Sequence, residues 1–317
     1  MPETSQKKSE KVTVHVDGRV LQLTNLTKVL YPETGFTKGE VIDYYTRIAP
    51  VLLPHLADRP LTVKRYPNGV DAAFFFEKNA SRGTPDWVRT VTLPVPGSTM
   101  KRETIDYLVV EELATLVWLG NLAALELHVP QWRVPPESSR ARKPHTDLLV
   151  FDLDPGAPAS IVECCEVALH LRELLAEDGL TLTAKTSGSK GMQVSAPISV
   201  DDPELTSEYA HTVAVKLEEQ FPKLVVSRMT KALRPGKIFV DWSQNNMAKT
   251  TVAPYSIRAR EAQTVSTPLL WSEVESGQHL RFTTDQVLDR VGEHGDLFGD
   301  TLDETLRVRI TKSMTAR

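Results

Sequence analysis

The pattern of apolar and polar residues predicts a hairpin and then a helix in the first part of the chain. Residues 12–24, VTVHVDGRVLQLT, alternate apolar and polar positions around an Asp-Gly pair, which is typical of tight hairpin turns. Residues 37–56 predict a helix, with Thr37 as its N-cap and Glu40 as the capping-box partner three residues on. Residues 1–12 are polar and are predicted to form a disordered tail.

Apolar runs separated by turn residues predict further strands and helices along the rest of the chain. The polar, proline-containing stretch 133–146 marks a boundary between an N-terminal lobe, 13–133, and a second lobe, 147–300, which 301–317 follow as a C-terminal tail. Strands are predicted at 61–67, 126–132, 147–155, 182–188, 192–198 and 237–245, and helices at 110–125, 160–178 and 204–221. This mixture of elements predicts an α/β fold class.

Bulk composition excludes several classes of protein. Hydrophobic residues make up 41% and charged residues 25%, no stretch approaches the ~18 apolar residues of a membrane span, and the polar N-terminus lacks a signal core. The adjacent Cys164 and Cys165 have the spacing of neither a disulfide framework nor a zinc site. We therefore expect a cytoplasmic protein with no membrane association. The net charge of −4 argues against coating of nucleic acid by the whole surface, but it allows a local basic groove.

Acidic residues at the ends of two predicted strands are the first candidates for chemistry. In the stretch LLVFDLDPG, Asp152 and Asp154 share one face of a strand, with Cα atoms about 6.7 Å apart. Asp241 ends a later strand, KIFVD. Three carboxylates converging from two strands would suit the two-metal clamp of phosphoryl and nucleotidyl transfer. The alternative is a pair of turn residues, with Asp241 capping a neighbouring segment.

A loop of small polar residues and a basic run are the next candidates. Residues 187–191, SGSKG, follow a strand directly and offer backbone N–H donors, two hydroxyls and an ammonium, which together suit a triphosphate. The spacing is not that of a Walker A loop, and an ordinary polar turn is the alternative. The run 228–237 carries four basic residues and no acid, and it is either a solvated face or part of a groove.

In order and content, these motifs resemble the polymerase domain of bacterial DNA ligase D, in the archaeo-eukaryotic primase superfamily. The resemblance runs from about residue 22 to residue 300 and is carried by long stretches at 27–45, 64–78, 123–133, 149–156, 186–194, 229–245 and 249–260. It implies an α+β primase-type fold of mixed and antiparallel sheets flanked by helices. The active-site cleft would lie between two lobes of one primase-polymerase domain, 13–300.

The resemblance also implies roles for individual residues. The catalytic, metal-binding carboxylates fall on Asp152, Asp154 and Asp241. The nucleotide would be held by Ser187, Ser189, Lys190, Gln193, His128, Arg234, Gln244 and Arg258. The 5′-phosphate of the downstream strand would be bound by Lys28, Lys38 and Asn25, and the template by Lys64, Arg65, Phe75 and Phe76. Without the resemblance, His128 and the two phenylalanines would be read as core residues, and Lys28 and Lys38 as solvated surface charges.

The implied function is template-directed, metal-dependent addition of nucleotides to DNA primers. The substrates would be NTPs or dNTPs, with a preference for ribonucleotides, and the cofactor Mn²⁺ or Mg²⁺. The partners would be gapped, nicked or broken DNA with a 5′-phosphate, the Ku protein and a separate DNA ligase. The work would be gap filling or end extension in double-strand-break or excision repair, by a monomer acting at the bacterial nucleoid. No ligase or nuclease module follows in this sequence, which suggests a stand-alone relative or an excised domain.

One position departs from the family pattern. Relatives have histidine where this chain has Gln193, and a neutral amide bonds an anion more weakly than a charged ring does. We therefore expect weaker nucleotide binding or slower incorporation. A catalytically weakened module that only binds DNA ends is the alternative function. A metal-dependent glycosyltransferase also uses a D-x-D pair, but neither TSGSKGMQV nor FVDWSQN favours it, and the motif order does not fit an aspartyl phosphohydrolase.

Overall fold

The computed structural model describes residues 11–94, 103–135, 144–278 and 280–316. Most of the predicted lobe boundary, 136–143, and most of the predicted N-terminal tail, 1–10, lie outside these residues. Lys11 and Val12, which the sequence assigned to the tail, begin the first strand.

The first half of the chain forms small antiparallel sheets and two helices. The strands are β1 (Lys11–Val16), β2 (Arg19–Thr24), β3 (Val29–Tyr31), β4 (Phe36–Thr37), β5 (Thr62–Arg65), β6 (Phe75–Glu77), β7 (Thr90–Pro94), β8 (Thr104–Leu108), β9 (Ala124–Val129) and β10 (Trp132–Arg133). The helices are α1 (Lys38–Leu56) and α2 (Leu113–Asn121). The predicted hairpin is confirmed, because β1 and β2 pair antiparallel across Asp17 and Gly18, both with positive φ. The predicted capping box of Thr37 and Glu40 is also present.

The second half is built around a larger sheet. Its strands are β11 (His145–Thr146), β12 (Leu148–Pro155), β13 (Thr183–Thr186), β14 (Met192–Ser199), β15 (Val225–Val226), β16 (Ile238–Asp241), β17 (Thr251–Val252), β18 (Pro268–Leu269) and β19 (Val308–Arg309). Its helices are α3 (Ile161–Ala176), α4 (Glu204–Gln220), α5 (Trp271–Ser276) and α6 (Thr284–His294). A capping box of Ser160 and Glu163 begins α3, which explains why the helix starts where its sequence predicts.

Two sheets position the candidate site. The seven-stranded sheet has the order β15-β16-β12-β14-β13-β18, with β19 added beside β14, and the four-stranded sheet has the order β17-β9-β5-β6. Leu149, Phe151 and Leu153 face the core beneath α3 and α4, so the alternate residues of β12 face the other way. On that other face of the larger sheet, β17 of the smaller sheet lies close to β13. The Lys185 ammonium on β13 donates a hydrogen bond to the Val252 carbonyl on β17 at 3.0 Å. The predicted α/β class, with mixed and antiparallel sheets flanked by helices, is confirmed.

The C-terminal segment packs onto the larger sheet. Residues 301–317 were predicted to be a tail, yet β19 pairs in parallel with β14, and Ile198 lies opposite Val308. Ile310 is buried in the same core as α3 and α4. The second lobe therefore continues beyond residue 300, because a short strand that is apolar on one face can complete a sheet edge. Among the described residues, no helix is both long and apolar enough to cross a membrane.

A buried ion-pair network joins the two halves of the chain. Asp147, just before β12, accepts hydrogen bonds from Arg59 at 2.8 Å and from Arg133 at 2.7 Å on the same carboxylate oxygen. Asp147 is only 1% exposed and Arg59 only 4%. Burial alone would raise the pKa of Asp147, but the charges of Arg59 and Arg133 lower it below its ordinary value. This network fixes the start of the strand that carries the candidate carboxylates.

Candidate active site

A row of four side chains crosses the larger sheet at the candidate site. Asp152 lies opposite Asp241 on one neighbouring strand and opposite Gln193 on the other, and Gln193 lies opposite Lys185. Residues directly opposite each other point to the same face of a sheet, and Asp154 shares that face two residues beyond Asp152. The structure therefore brings the three predicted carboxylates to one strand end from two adjacent strands.

The three carboxylates lie near one another, but they are not already arranged as the ligands of a single metal ion. Asp241 is buried and bonded to its own 3-10 turn, with one oxygen accepting from Ser243 and the other from the Gln244 amide at 2.9 Å. Within the part of the chain that the structure describes, no three acidic, histidine or cysteine side chains are arranged as a ready metal cluster. The capping role that the sequence offered as an alternative for Asp241 is thus present in addition to its place beside Asp152.

Charge repulsion nevertheless makes this strand end suitable for a cation. Burial raises the pKa of Asp152, and the nearby charges of Asp154 and Asp241 raise it further. Burial and Asp241 likewise raise the pKa of Asp154, while Arg234 opposes this. Carboxylate oxygens are the ligands that Mg²⁺ and Mn²⁺ prefer, and a bound cation would relieve this repulsion. The residues present therefore fit a divalent metal ion in their chemistry.

Gln193 belongs to a buried relay instead of facing open space. Its amide nitrogen donates to Asp152 at 3.1 Å, and its amide oxygen accepts from the Lys185 ammonium at 2.6 Å. Lys185 is 2% exposed and also donates to Val252 and Ser266, and burial lowers the pKa of this lysine to about 7. Lys185 was missed at the sequence level, because a single lysine in a strand gives no signal of the residue it pairs with.

The loop 187–191 lies directly against the carboxylate strand. A Cβ on Gly191 would come within 2.1 Å of the Leu153 carbonyl oxygen, so only glycine allows this approach. Within the loop, the Ser187 hydroxyl accepts from the backbone N–H groups of Ser189 and Gly191, both at 3.3 Å. Lys190 is exposed at the tip of the loop. The predicted phosphate loop is therefore a compact turn beside Asp152 and Asp154.

Arg234 approaches the same strand end from the basic run 228–237. A Cβ on Gly156 would lie 2.1 Å from the Arg234 carbonyl oxygen, which shows how closely the two segments pack. The Arg234 guanidinium lies 3.7 Å from the centre of the Phe239 ring and donates to the Met229 carbonyl. This packing places a positive charge near Asp154, where it opposes the rise in the pKa of that carboxyl.

His128 and Arg258 meet at a buried acid that the sequence did not single out. The His128 ring nitrogen Nε2 is 2.9 Å from Glu126, and Arg258 Nε is 3.2 Å from the other oxygen of Glu126. Arg258 also donates to the Ser187 carbonyl at 2.7 Å, which joins this group to the phosphate loop. Glu126 escaped notice because the strand ALELHV otherwise looks like an ordinary core strand.

Asn25, Lys28 and Lys38 form a second group. The backbone N–H of Lys28 donates to Asn25, and that of Lys38 donates to Lys28, so three residues from two segments are tied together. Lys38 is only 5% exposed and its ammonium donates to Thr24 and Asn121, whereas Lys28 is half-buried. Burial and the charge of Lys28 lower the pKa of Lys38. The interpretation of Lys38 as a solvated surface charge does not hold, because its side chain is buried.

The aromatic side chains on β6 are exposed. Phe75 is 59% and Phe76 52% exposed, so a role in core packing, the alternative that the sequence left open, is wrong. Phe76 lies opposite Lys64 and Phe75 opposite Arg65 on the neighbouring strand. The Arg65 guanidinium pairs with Glu77 at 2.7 Å. Exposed aromatic rings flanked by basic residues are typical of surfaces that bind single-stranded nucleic acid.

Comparison with known proteins identifies the family of this chain. The sequence profile of the family described as "LigD, primase-polymerase domain" matches residues 37–298. The chain belongs to this family. It resembles the multifunctional non-homologous end joining protein LigD of Mycolicibacterium smegmatis, with 45% identity over 280 residues, 87% of this chain and 35% of that protein. The non-homologous end joining DNA repair protein LigD of Mycobacterium tuberculosis is 44% identical, over 87% of this chain and 36% of that protein.

A solved structure supports the same conclusion for the fold. The polymerase domain of Mycobacterium tuberculosis ligase D in complex with DNA matches with a TM-score of 0.84 and 42% identity, over 90% of this chain and 98% of that one. The chain spans about a third of the length of the curated LigD relatives that it matches. As a LigD primase-polymerase domain it is an enzyme of the nucleotidyltransferase class, and transfer of this kind uses a divalent metal ion.

Proposed function

We propose that this domain adds nucleotides to the 3′ end of a DNA primer as its template directs, in gap filling or end extension during non-homologous end joining. The observation that carries this proposal is the contact of loop 187–191 with the carboxylate strand through Gly191 and Leu153. This contact puts candidate phosphate ligands and candidate metal ligands side by side, as transfer from a nucleoside triphosphate requires.

Each part of the nucleotide would have its own partners. Lys190 and the N–H groups of loop 187–191 would hold the triphosphate, with Arg258 bracing the loop at the Ser187 carbonyl. Arg234 and Gln244 lie at the same strand end and would bind the nucleotide from the other side. A divalent cation held by Asp152, Asp154 and Asp241 would activate the primer hydroxyl and stabilise the leaving pyrophosphate.

DNA would be bound through features that do not depend on its sequence. Stacking of a template base on Phe75 or Phe76 would contribute roughly 1–3 kcal/mol per base. Lys28 and Lys38 would attract the 5′-phosphate across a gap, with an affinity that falls as salt rises. We further propose a preference for ribonucleotides, the use of Mn²⁺ or Mg²⁺, and joint action with Ku and a DNA ligase at broken ends. The relatives' names place them in end joining, which supports this assignment.

Primer extension on a gapped duplex with a 5′-phosphate tests the proposal. Ribonucleotides and deoxynucleotides are each supplied in Mn²⁺ and in Mg²⁺. We expect the wild-type protein to extend the primer and Asp152→Ala to give no extension. Binding of the phosphorylated gap without extension under any of these conditions would support the alternative, a module that only binds DNA ends. A fluorescent non-hydrolysable nucleotide, titrated in Mn²⁺, would report binding separately from transfer.

A further inference from the structure

Glu126 is a buried acid with no role in the chemistry proposed above. It lies in the middle of β9, is 2% exposed, and makes contacts with four groups. One oxygen is 2.9 Å from His128 Nε2 and 3.3 Å from the Lys64 ammonium. The other is 3.2 Å from Arg258 Nε and accepts from the backbone N–H of Ala259 at 3.2 Å. Every partner of this carboxylate is a cation or a hydrogen-bond donor.

The charge of Glu126 is fixed by these partners. Burial alone would raise its pKa, but the hydrogen bond from His128 and the charges of Arg258, His128 and Lys64 lower it well below its ordinary value. A buried carboxylate without such partners would cost several kcal/mol, and the mostly buried Arg258 guanidinium would lose its charged partner if the carboxylate were removed. The four side chains therefore hold one another in a single arrangement.

Each basic partner leads to a different part of the site. Arg258 continues to loop 187–191, where it donates to the Ser187 carbonyl. The His128 ring lies 6.3 Å from the ring of Phe76. Lys64 lies directly opposite Glu126 on one side and opposite Phe76 on the other. One buried carboxylate thus touches the side chains that border both the phosphate loop and the exposed aromatic surface.

We propose that Glu126 is a positioning residue that orients Arg258 against the phosphate loop and His128 beside the template-facing Phe76, so that nucleotide binding and template binding are coupled. This inference rests on the proposed function. The carboxylate fixes which nitrogen of His128 faces inward, as hydrogen-bonded acids do for histidines that contact ligands. Glu126 itself would contact neither the nucleotide nor the template.

Glu126→Gln is the direct test, because glutamine keeps the size and removes the charge. We expect the KM for the incoming nucleotide to rise by about tenfold or more, and the Kd of the fluorescent nucleotide to rise with it, while kcat changes less. Glu273→Gln is the matched control: Glu273 pairs with Arg290 through both oxygens, at 2.6 and 2.7 Å, on a helix that carries none of the proposed site residues. We expect Glu273→Gln to lower the melting temperature and leave KM and Kd unchanged. The same result for Glu126→Gln, a lower melting temperature with unchanged KM and Kd, would show a purely structural role and overturn the proposal.

Coupling is tested by combining Glu126→Gln with Phe76→Ala. We expect the double variant to lose less than the product of the two single losses in kcat/KM, because both changes disturb one arrangement. Fully multiplicative losses would contradict the coupling.

Glu126→Asp covers the case in which the glutamine variant does not fold. Aspartate keeps the negative charge but moves it back from its partners by one methylene. We therefore expect the Kd of the fluorescent nucleotide to rise, but by less than a loss of the charge would cause. An unchanged Kd would reject the positioning role. If the wild-type protein bound nucleotide without extending primers, the proposed function would fail while this comparison of Kd values still decided the role of Glu126.

Discussion

At the scale of single residues, the structure changes what Gln193 means. The sequence suggested that the Gln193 amide faces the triphosphate, where the family pattern has a histidine that can carry a positive charge. The amide instead bridges Lys185 and Asp152, so any effect of this side chain on a bound nucleotide would pass through the Asp152 carboxylate. An imidazole at this position would be buried next to an ammonium, and both disfavour its charged form, whereas the Asp152 carboxylate would favour it. A neutral imidazole could still accept from Lys185 and donate to Asp152.

Gln193→His tests how much the departure from the family matters. A neutral ring would keep both hydrogen bonds, so we expect the nucleotide KM to fall by less than about threefold, a difference below ~1 kcal/mol. Gln193→Leu removes both bonds and should reduce kcat/KM by about tenfold or more. Steady-state primer extension measures both variants. A large gain on introducing histidine would show that charge at position 193 acts directly on the nucleotide.

The two lysines of the proposed 5′-phosphate group differ in burial, and their variants should differ accordingly. Lys28→Ala should lower the preference for a phosphorylated gap and cost less stability than the Lys38 variant, because the half-buried Lys28 ammonium donates near the surface, to the Pro67 carbonyl and to Asn68. Lys38→Ala should lower the same preference and also cost about 1–3 kcal/mol of unfolding free energy, because it leaves Thr24 and Asn121 without their buried donor. Competition binding of gaps with and without the phosphate, together with urea unfolding, separates the two effects. Equal stability of both variants would contradict the burial argument.

At the scale of elements, the sequence predicts features set by neighbouring residues, such as hairpins and helix caps. It misses contacts between residues on paired strands that are far apart in the chain. The hairpin β1–β2 and the capped helices α1 and α3 follow from residues within a few positions of one another. The strand-end carboxylates and the loop 187–191 were also found, because strand ends and turn residues have local signatures. The opposition of Asp152 and Gln193 is set by strand register, which no local pattern reveals. Glu126 and Lys185 were missed for this reason.

Asp147 holds the start of β12 against the first half of the chain. Asp147→Asn would leave the Arg59 guanidinium buried with a weaker partner, and we expect a loss of about 3–5 kcal/mol in unfolding free energy. Asp201→Asn is the matched control, since Asp201 pairs with Arg309 on the surface, where both side chains are largely exposed. The control should change stability by no more than about 0.5 kcal/mol. Equal losses in the two variants, measured by urea unfolding, would show that burial does not set the strength of the first pair.

At the scale of the whole molecule, contacts far apart in sequence join α1 to the segment after α6. His55 is 4% exposed, and its Nε2 lies 2.9 Å from Asp296, which also accepts from the Tyr255 hydroxyl at 2.6 Å. Burial lowers the pKa of His55 from its ordinary 6.5, and the Asp296 hydrogen bond offsets this only in part. The folded protein therefore holds this ring neutral at a pH where the unfolded chain has begun to bind a proton.

This difference predicts an acid-sensitive contribution to stability. Because the unfolded state binds the proton more readily, the contribution is complete above pH 6.5 and is lost as the pH falls from there toward the lower pKa of the folded state. We expect the melting temperature of wild type to fall between pH 7.5 and 5.5, and His55→Gln to have a lower melting temperature but a flatter dependence in this range. Parallel curves for the two proteins would mean that another group is responsible.

The pairing of β19 with β14 bears on how the domain can be handled in the laboratory. A fragment cut after residue 300 would lose the strand that covers Ile198 and Ser199, together with the buried Ile310. The unpaired backbone of β14 would then be exposed, and such an edge can pair with other copies of the fragment and cause aggregation during expression. Expression vectors, fusion partners and truncation series for this polymerase domain should therefore retain the residues through Ile310 at least, and place any tag beyond them.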